Sequence, residues 1–248
     1  MSTENKLITI AENVDKVYEA GKDAEYNTFW DAYQIIGRTR TGNYMFHSYE
    51  WDSVRRSWDD SSFYPKYDIF PSGECSFMFN ALGVTDLSTR IKECGIKLDL
   101  SKATNVKYMF NRAITKVIPE MNFSGVNVAA GMQRVFSYSS IEKIEKLIFP
   151  SNKSITLNDM FLEATKLSHI TIDGTICNTI SFAQSPNLTE ASLKSIVNHL
   201  YDYSTEAPGA KTLTLHADAK ARLEAITELH ESGSTYVDRI SDLGWNLV

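Results

Sequence analysis

Hydrophobic positions near the start of the chain recur at helical spacing. Val14, Val17, Tyr18 and Gly21 occupy i, i+3, i+4 and i+7, and Tyr26, Phe29, Trp30 and Tyr33 repeat the interval. The pattern predicts two amphipathic helical pieces parted at Gly21, with Asn13 as N-cap and Gly37 as the stop. The aromatic face of the second piece must cover apolar surface, either as an end cap for the core that follows or as a docking face for a partner protein.

From Tyr44 the pattern changes to a recurring short cluster: "YMFHS", "FMFNA", "YMFNRA", "RVFSYS", "DMFLEA" and "ISFAQS". Its phenylalanines are Phe46, Phe79, Phe110, Phe136, Phe161 and Phe182, and the interval between them shortens from 33 residues to 21. In the last four copies a small residue stands three places after the Phe, at Ala113, Ser139, Ala164 and Ser185, and an apolar one eleven places after it, at Met121, Leu147, Ile172 and Leu193. A unit of that length cannot bury its own apolar face, so the shared register predicts stacked repeats, a solenoid in which the Phe rings form one continuous core. Alternation within "KLDLS", "EKLIFP" and "SHITIDG" predicts short strands. These bury Leu98 and Leu100, Leu147 and Phe149, Ile170 and Ile172, and turn Lys146, Ile148, Thr171 and Asp173 outward.

After Asn187 the spacing of Leu193, Ile196, Val197 and Leu200 predicts a helix capped by Thr189. "STEAPGA" reads as a loop, "KTLTLHA" as a strand and "DAKARLEAITELHES" as a helix opened by Asp218. "LGWNLV" reads as a last strand with Trp245 and Leu247 facing one way.

The recurring clusters resemble the BspA-like leucine-rich repeats of bacterial surface proteins and of phage or prophage proteins of gut Firmicutes, over Tyr44 to Leu193. The flanks "ITIAENVDKVYEAGKDAEYNTFWDAYQ", "FYPKYDIFP", "LTLHADAKARL" and "LGWNLV" are similar to the frame of the phage-associated members. With the periodicity, the resemblance implies an α/β fold: a short leucine-rich-repeat-type solenoid over 41–190, an N-terminal helical cap or attachment segment over 1–40, and a C-terminal α/β cap over 191–248. It also implies a binding module, with no catalytic residues to carry over. The start, "MSTENKLITIAENVDK", lacks the basic and apolar regions of a signal peptide. That shifts the expectation from a cell-surface protein to a virion component made in the bacterial cytoplasm and released by lysis.

Charge and candidate chemistry narrow the function further. The chain carries 25 Lys and Arg against 31 Asp and Glu, a formal net charge of −6, which argues against a nucleic-acid binder. No stretch reaches the length of a membrane span. Cys75, Cys94 and Cys177 have neither disulfide-framework nor zinc spacing, and His47, His169, His199, His216 and His230 lack metal-site spacing. "FNALGVTDL" and "APGAK" contain glycine without a phosphate-binding fingerprint, and the adjacent Asp59 and Asp60 read as turn residues. No catalytic residue, cofactor or metal is therefore expected.

The irregular stretch "HSYEWDSVRRSWDDSSFYPKY" concentrates aromatic side chains beside Arg55 and Arg56, a combination that anchors protein and carbohydrate recognition. Trp58 and Phe63 are assigned to packing under the first repeat. Tyr49, Trp51, Arg55 and Arg56 stand as candidate binding residues, joined by Lys146 and Thr171 on the outward sheet face. The expected function is that of a tail-associated virion protein. Its partners would be a host surface protein or glycan, and other virion proteins reached through Tyr26, Phe29, Trp30 and Tyr33. The alternatives are a bacterial surface adhesion protein with leucine-rich repeats and, third, a glycan hydrolase, which would need two carboxylates meeting in a groove. The ligand's identity and self-association into a homo-oligomer stay open at this level.

Overall fold

The computed structural model describes residues 59–60, 63–65 and 68–248. The helical pieces expected before Gly37, the "YMFHS" cluster, Trp58 and the candidates Tyr49, Trp51, Arg55 and Arg56 lie outside the described residues.

A phenylalanine ring is costly to leave in water, and the recurring clusters solve this by laying their rings face to face. Phe79 and Phe110 stack at 5.0 Å between ring centroids, Phe110 and Phe136 at 5.7 Å, Phe136 and Phe161 at 5.3 Å, and Phe161 and Phe182 at 4.6 Å. All five rings are buried, as are the small residues three places on and the apolar residues eleven places on. They belong to one core cluster that runs from Phe63 to Trp245.

The backbone around each ring takes a form that composition does not announce. Phe77, Ala81, Tyr108, Arg112, Arg134, Tyr138, Asp159 and Glu163, two places before and two after a core Phe, are left-handed with φ between 53° and 59°. None is glycine, and the conformation costs an L residue about 1–2 kcal/mol. The return is a ladder of main-chain hydrogen bonds between successive clusters. Phe77, Phe79 and Ala81 donate their N–H groups to Lys107, Met109 and Asn111 at 2.8–3.0 Å, and Tyr108, Phe110 and Arg112 donate to Gln133, Val135 and Ser137 at 2.7–3.0 Å. Side chains extend the ladder: Asn80 Nδ2 donates to Asn111 Oδ1 at 3.1 Å, and Asn111 Nδ2 to Ser137 Oγ at 2.7 Å.

Between the clusters and after the last of them, with β6 taking in Phe182 itself, lie the regular elements: β1 (Gly73–Glu74), α1 (Leu87–Glu93), β2 (Ala103–Asn105), β3 (Val117–Asn122), β4 (Lys143–Ile148), β5 (His169–Asp173), β6 (Ile180–Phe182), α2 (Glu190–Asn198), β7 (Lys211–Leu215), α3 (Ala217–Glu224), α4 (Tyr236–Asp242) and β8 (Trp245–Leu247). The strands form three small parallel sheets, ordered β1–β2, β3–β4–β5 and β6–β7–β8. This corrects the expectation of a leucine-rich-repeat solenoid. Among the described residues the fold is α/β with three separate sheets and four helices; no one sheet runs through them and the helices are not dealt one to a repeat.

The physical reason is that a shared burial register does not fix the element that satisfies it. Met121, Leu147 and Ile172 pair across β3, β4 and β5, but the fourth residue in that register, Leu193, lies in α2. There the helix closes the sheet: Ser192 Oγ accepts the N–H of Ile170 at 3.0 Å and Ser195 Oγ that of Ile172 at 2.8 Å. At the other end "KLDLS" does not form a strand of the sheet. Leu98 makes only an isolated bridge to Ile69, and α1 occupies the chain between the "FMFNA" cluster and that segment.

The C-terminal elements follow the sequence with two corrections, both to α3, and one addition, α4. Thr189 caps α2, accepting the Ser192 N–H, and β7 and β8 fall in "KTLTLHA" and "LGWNLV". The cap of α3 is His216, not Asp218; its Nδ1 accepts the Asp218 N–H at 3.2 Å, leaving Asp218 in the first turn. That helix also stops at Glu224, because Ile226 bonds back to Leu223 and turns its side chain into the core. The unanticipated α4 is capped by Thr235, whose Oγ1 accepts the Asp238 N–H at 3.0 Å.

Candidate functional site

β3 buries Ile118 and Met121, β4 buries Ile144 and Leu147, each pair with two residues between them, and β5 buries Ile170 and Ile172 by simple alternation. The residues between them form an outer face on which Glu120 stands opposite Lys146, and Asn122, Ile148 and Asp173 stand in one row. Lys146 Nζ lies 3.0 Å from the Glu120 carboxylate. That hydrogen bond, then the charge of Glu120, pushes the Lys146 ammonium above its ordinary pKa. Thr171 is exposed opposite a bulge, where two residues of β4, Glu145 and Lys146, face one of β5. Lys146 and Thr171 thus share one surface, but Lys146 is already engaged in an ion pair.

Beside β3 this face passes into a groove. Ile69 donates its N–H to the Lys97 carbonyl at 2.7 Å and accepts from Asp99 at 2.9 Å, which fixes the pairing of the two segments. The pairing sends Ile69 inward, 3% exposed, and leaves the next residue, Phe70, 41% exposed. Phe70 and Asp99 line two adjoining hollows. One, of about 560 Å³, is completed by Asp68, Pro71, Ser72 and Lys102; the other, of about 530 Å³, by Lys97, Leu98, Glu120 and Asn122.

The polar groups of the groove are held by the backbone. Asp68 Oδ1 accepts the Lys97 N–H at 2.8 Å, Asp99 Oδ1 accepts that of Ser101 at 2.8 Å, and Asn122 Oδ1 accepts that of Ser124 at 3.1 Å. Each head group is anchored at one end and presents a second oxygen, or for Asn122 an amide NH2, at the other.

A second surface lies over the turn ladder. Phe77 and Tyr108 stack at 4.8 Å, Lys107 Nζ sits 5.2 Å from the Tyr108 ring centroid, and Arg134 pairs with Asp159 at 3.0 Å. These side chains largely engage one another along the ladder. Arg112, Tyr138, Asp159 and Glu163 are the exposed members of the left-handed set.

The described candidates from the sequence, Lys146 and Thr171, therefore come together on the outer face, while Phe70, Asp68, Asp99 and Asn122 were missed. A signal was present in "YDIFP": two adjacent apolar residues on an alternating segment cannot both face the core. Cys94 and Cys177 are free thiols. Among the described residues no group of His, Cys, Asp and Glu has metal-holding geometry, and no helix is long and apolar enough to cross a membrane. No family model, curated protein or solved structure matches the chain.

Proposed function

We propose that this chain is a binding protein, a tail-associated component of a phage or prophage virion that recognises a host surface through the groove at Phe70 and the outer face of β3, β4 and β5. The observation that carries the recognition reading is the Phe70 ring, 41% exposed in a hollow beside polar groups already oriented by the backbone. A concave site with an apolar floor and a few fixed polar groups is the usual form of a ligand site. Support for the virion assignment comes from the sequence frame of "FYPKYDIFP", "LTLHADAKARL" and "LGWNLV". Attachment to other virion proteins is assigned to Tyr26, Phe29, Trp30 and Tyr33, which lie outside the described residues.

The test is binding of the fluorescently labelled full chain to a panel of intact bacterial cells. Phe70→Ala is expected to weaken binding to a responsive strain by about tenfold, the equivalent of about 1.4 kcal/mol, with the melting temperature unchanged. If Phe70→Ala binds as well as the parent while Trp51→Ala with Arg55→Ala does not, recognition belongs to the irregular stretch instead. Turnover of a glycan or peptide by the purified protein would overturn the binding reading.

A further inference from the structure

Formal charges in the groove cancel. Asp68 and Asp99 stand against Lys97 and Lys102, and the third carboxylate, Glu120, is matched by Lys146. An anionic ligand would meet the three carboxylates, and a cationic one the lysines, so neither sign gains much by entering. The groups that remain suit a neutral ligand rich in hydroxyls. A carboxylate oxygen accepts from a hydroxyl, an amide NH2 donates to one, and the exposed aromatic face receives an apolar C–H surface.

Orientation favours the same class. The head groups of Asp68, Asp99 and Asn122 are held by backbone N–H groups before any ligand arrives, so bonding to them sacrifices little side-chain freedom. Each of the two hollows falls within the range of about 300–1,000 Å³ that accommodates small-molecule ligands. We infer that the groove binds a neutral saccharide, with a pyranose ring laid on Phe70 and its hydroxyls bonded by Asp68, Asp99 and Asn122. This rests on the recognition reading above and names the chemical class of what is recognised.

The experiment applies the full-length chain to an array of immobilised neutral, anionic and cationic oligosaccharides, at about 0.15 M and 1 M NaCl. The expected result is binding to one or more neutral glycans that survives high salt. Phe70→Ala and Asp99→Asn should each reduce it about tenfold or more, and Phe70→Trp should retain it. Binding only to charged glycans, abolished by salt, would overturn the inference, as would no binding to any arrayed glycan. A parallel measurement on responsive cells separates this failure from that of the recognition reading. Cell binding that is lost after proteinase treatment, kept after periodate oxidation and still sensitive to Phe70→Ala identifies a protein ligand. That outcome sinks the saccharide and leaves the groove as the recognition site.

Discussion

Truncating Phe136 to Ala tests the row of rings where it is most enclosed. Phe136 is 1% exposed and lies between Phe110 at 5.7 Å and Phe161 at 5.3 Å, with Phe123 tilted against it at 6.4 Å. Burial of a Phe side chain is worth about 1.5–3 kcal/mol, and the cavity left behind raises Phe→Ala to about 3–5 kcal/mol. Each aromatic pair adds about 0.5–1.5 kcal/mol, and Phe136 has two stacked partners, so its cost falls at the upper end, about 5 kcal/mol. Phe182 stacks on Phe161 alone among the described rings, at 4.6 Å, and its truncation is expected to cost about 1 kcal/mol less. Because whole proteins are stable by about 5–15 kcal/mol, Phe136→Leu is the variant certain to leave a measurable fold, at about 1–2 kcal/mol. Guanidinium unfolding followed by far-ultraviolet circular dichroism and by tryptophan fluorescence, to which buried Trp245 contributes, gives the free energies by linear extrapolation. A Phe136→Ala cost below about 2 kcal/mol, or one equal to that of Phe182→Ala, would refute the additive contribution of the row.

Arg112, exposed and left-handed at φ 59°, is expected to gain about 0.5–1 kcal/mol on replacement by Gly, because relief of the backbone outweighs the greater freedom of the unfolded chain. A destabilised Arg112→Gly in urea titration would show that the turn is not strained. Ser195→Ala removes the hydroxyl that accepts the Ile172 N–H and should cost about 1–2 kcal/mol, with faster amide exchange at Ile172; unaltered exchange there would rule the cap out. Glu206 is held below its ordinary carboxylate pKa of 4.5 by hydrogen bonds from Lys153, at 2.6 Å, and then from Tyr201, at 2.8 Å. A carboxylate depressed on folding stabilises above its unfolded pKa and loses that contribution as the pH falls through the folded value. The melting temperature should therefore drop less in Glu206→Gln than in the parent between about pH 5 and pH 3, and parallel profiles would exclude the contribution.

The core was legible because burial is written locally. Phe110, Phe136 and Phe161 share a register with Ala113, Ser139 and Ala164, and all six are buried. Alternation likewise located β4 and β5. The architecture was not legible, since the register that places Met121, Leu147 and Ile172 in strands places Leu193 in a helix, and only the docking of Ser192 and Ser195 on β5 decides between them. The left-handed turns were hidden for a related reason. Tyr108, Arg112, Arg134 and Tyr138 have no intrinsic leaning toward positive φ, and the conformation is imposed by carbonyls of a neighbouring cluster. Phe70 could be seen as one of two adjacent apolar residues, but its turning outward depends on the pairing of Ile69 with residues about thirty positions away.

The direction of the ladder bonds bears on how the chain is made. Phe77 donates to Lys107, Tyr108 to Gln133 and Arg134 to Asn158, so the left-handed turns around Phe79, Phe110 and Phe136 each wait for an acceptor 24 to 30 residues downstream. On a ribosome adding about 5–20 residues per second, that interval is about 1–6 seconds. During it the forward-facing N–H groups of the newest cluster bond water, and no ladder bond yet offsets the cost of adopting the left-handed backbone. Commitment therefore lags synthesis by one cluster at every step, and a chain interrupted anywhere between Phe77 and Asn158 carries its last turn open, a ready entry point for proteases.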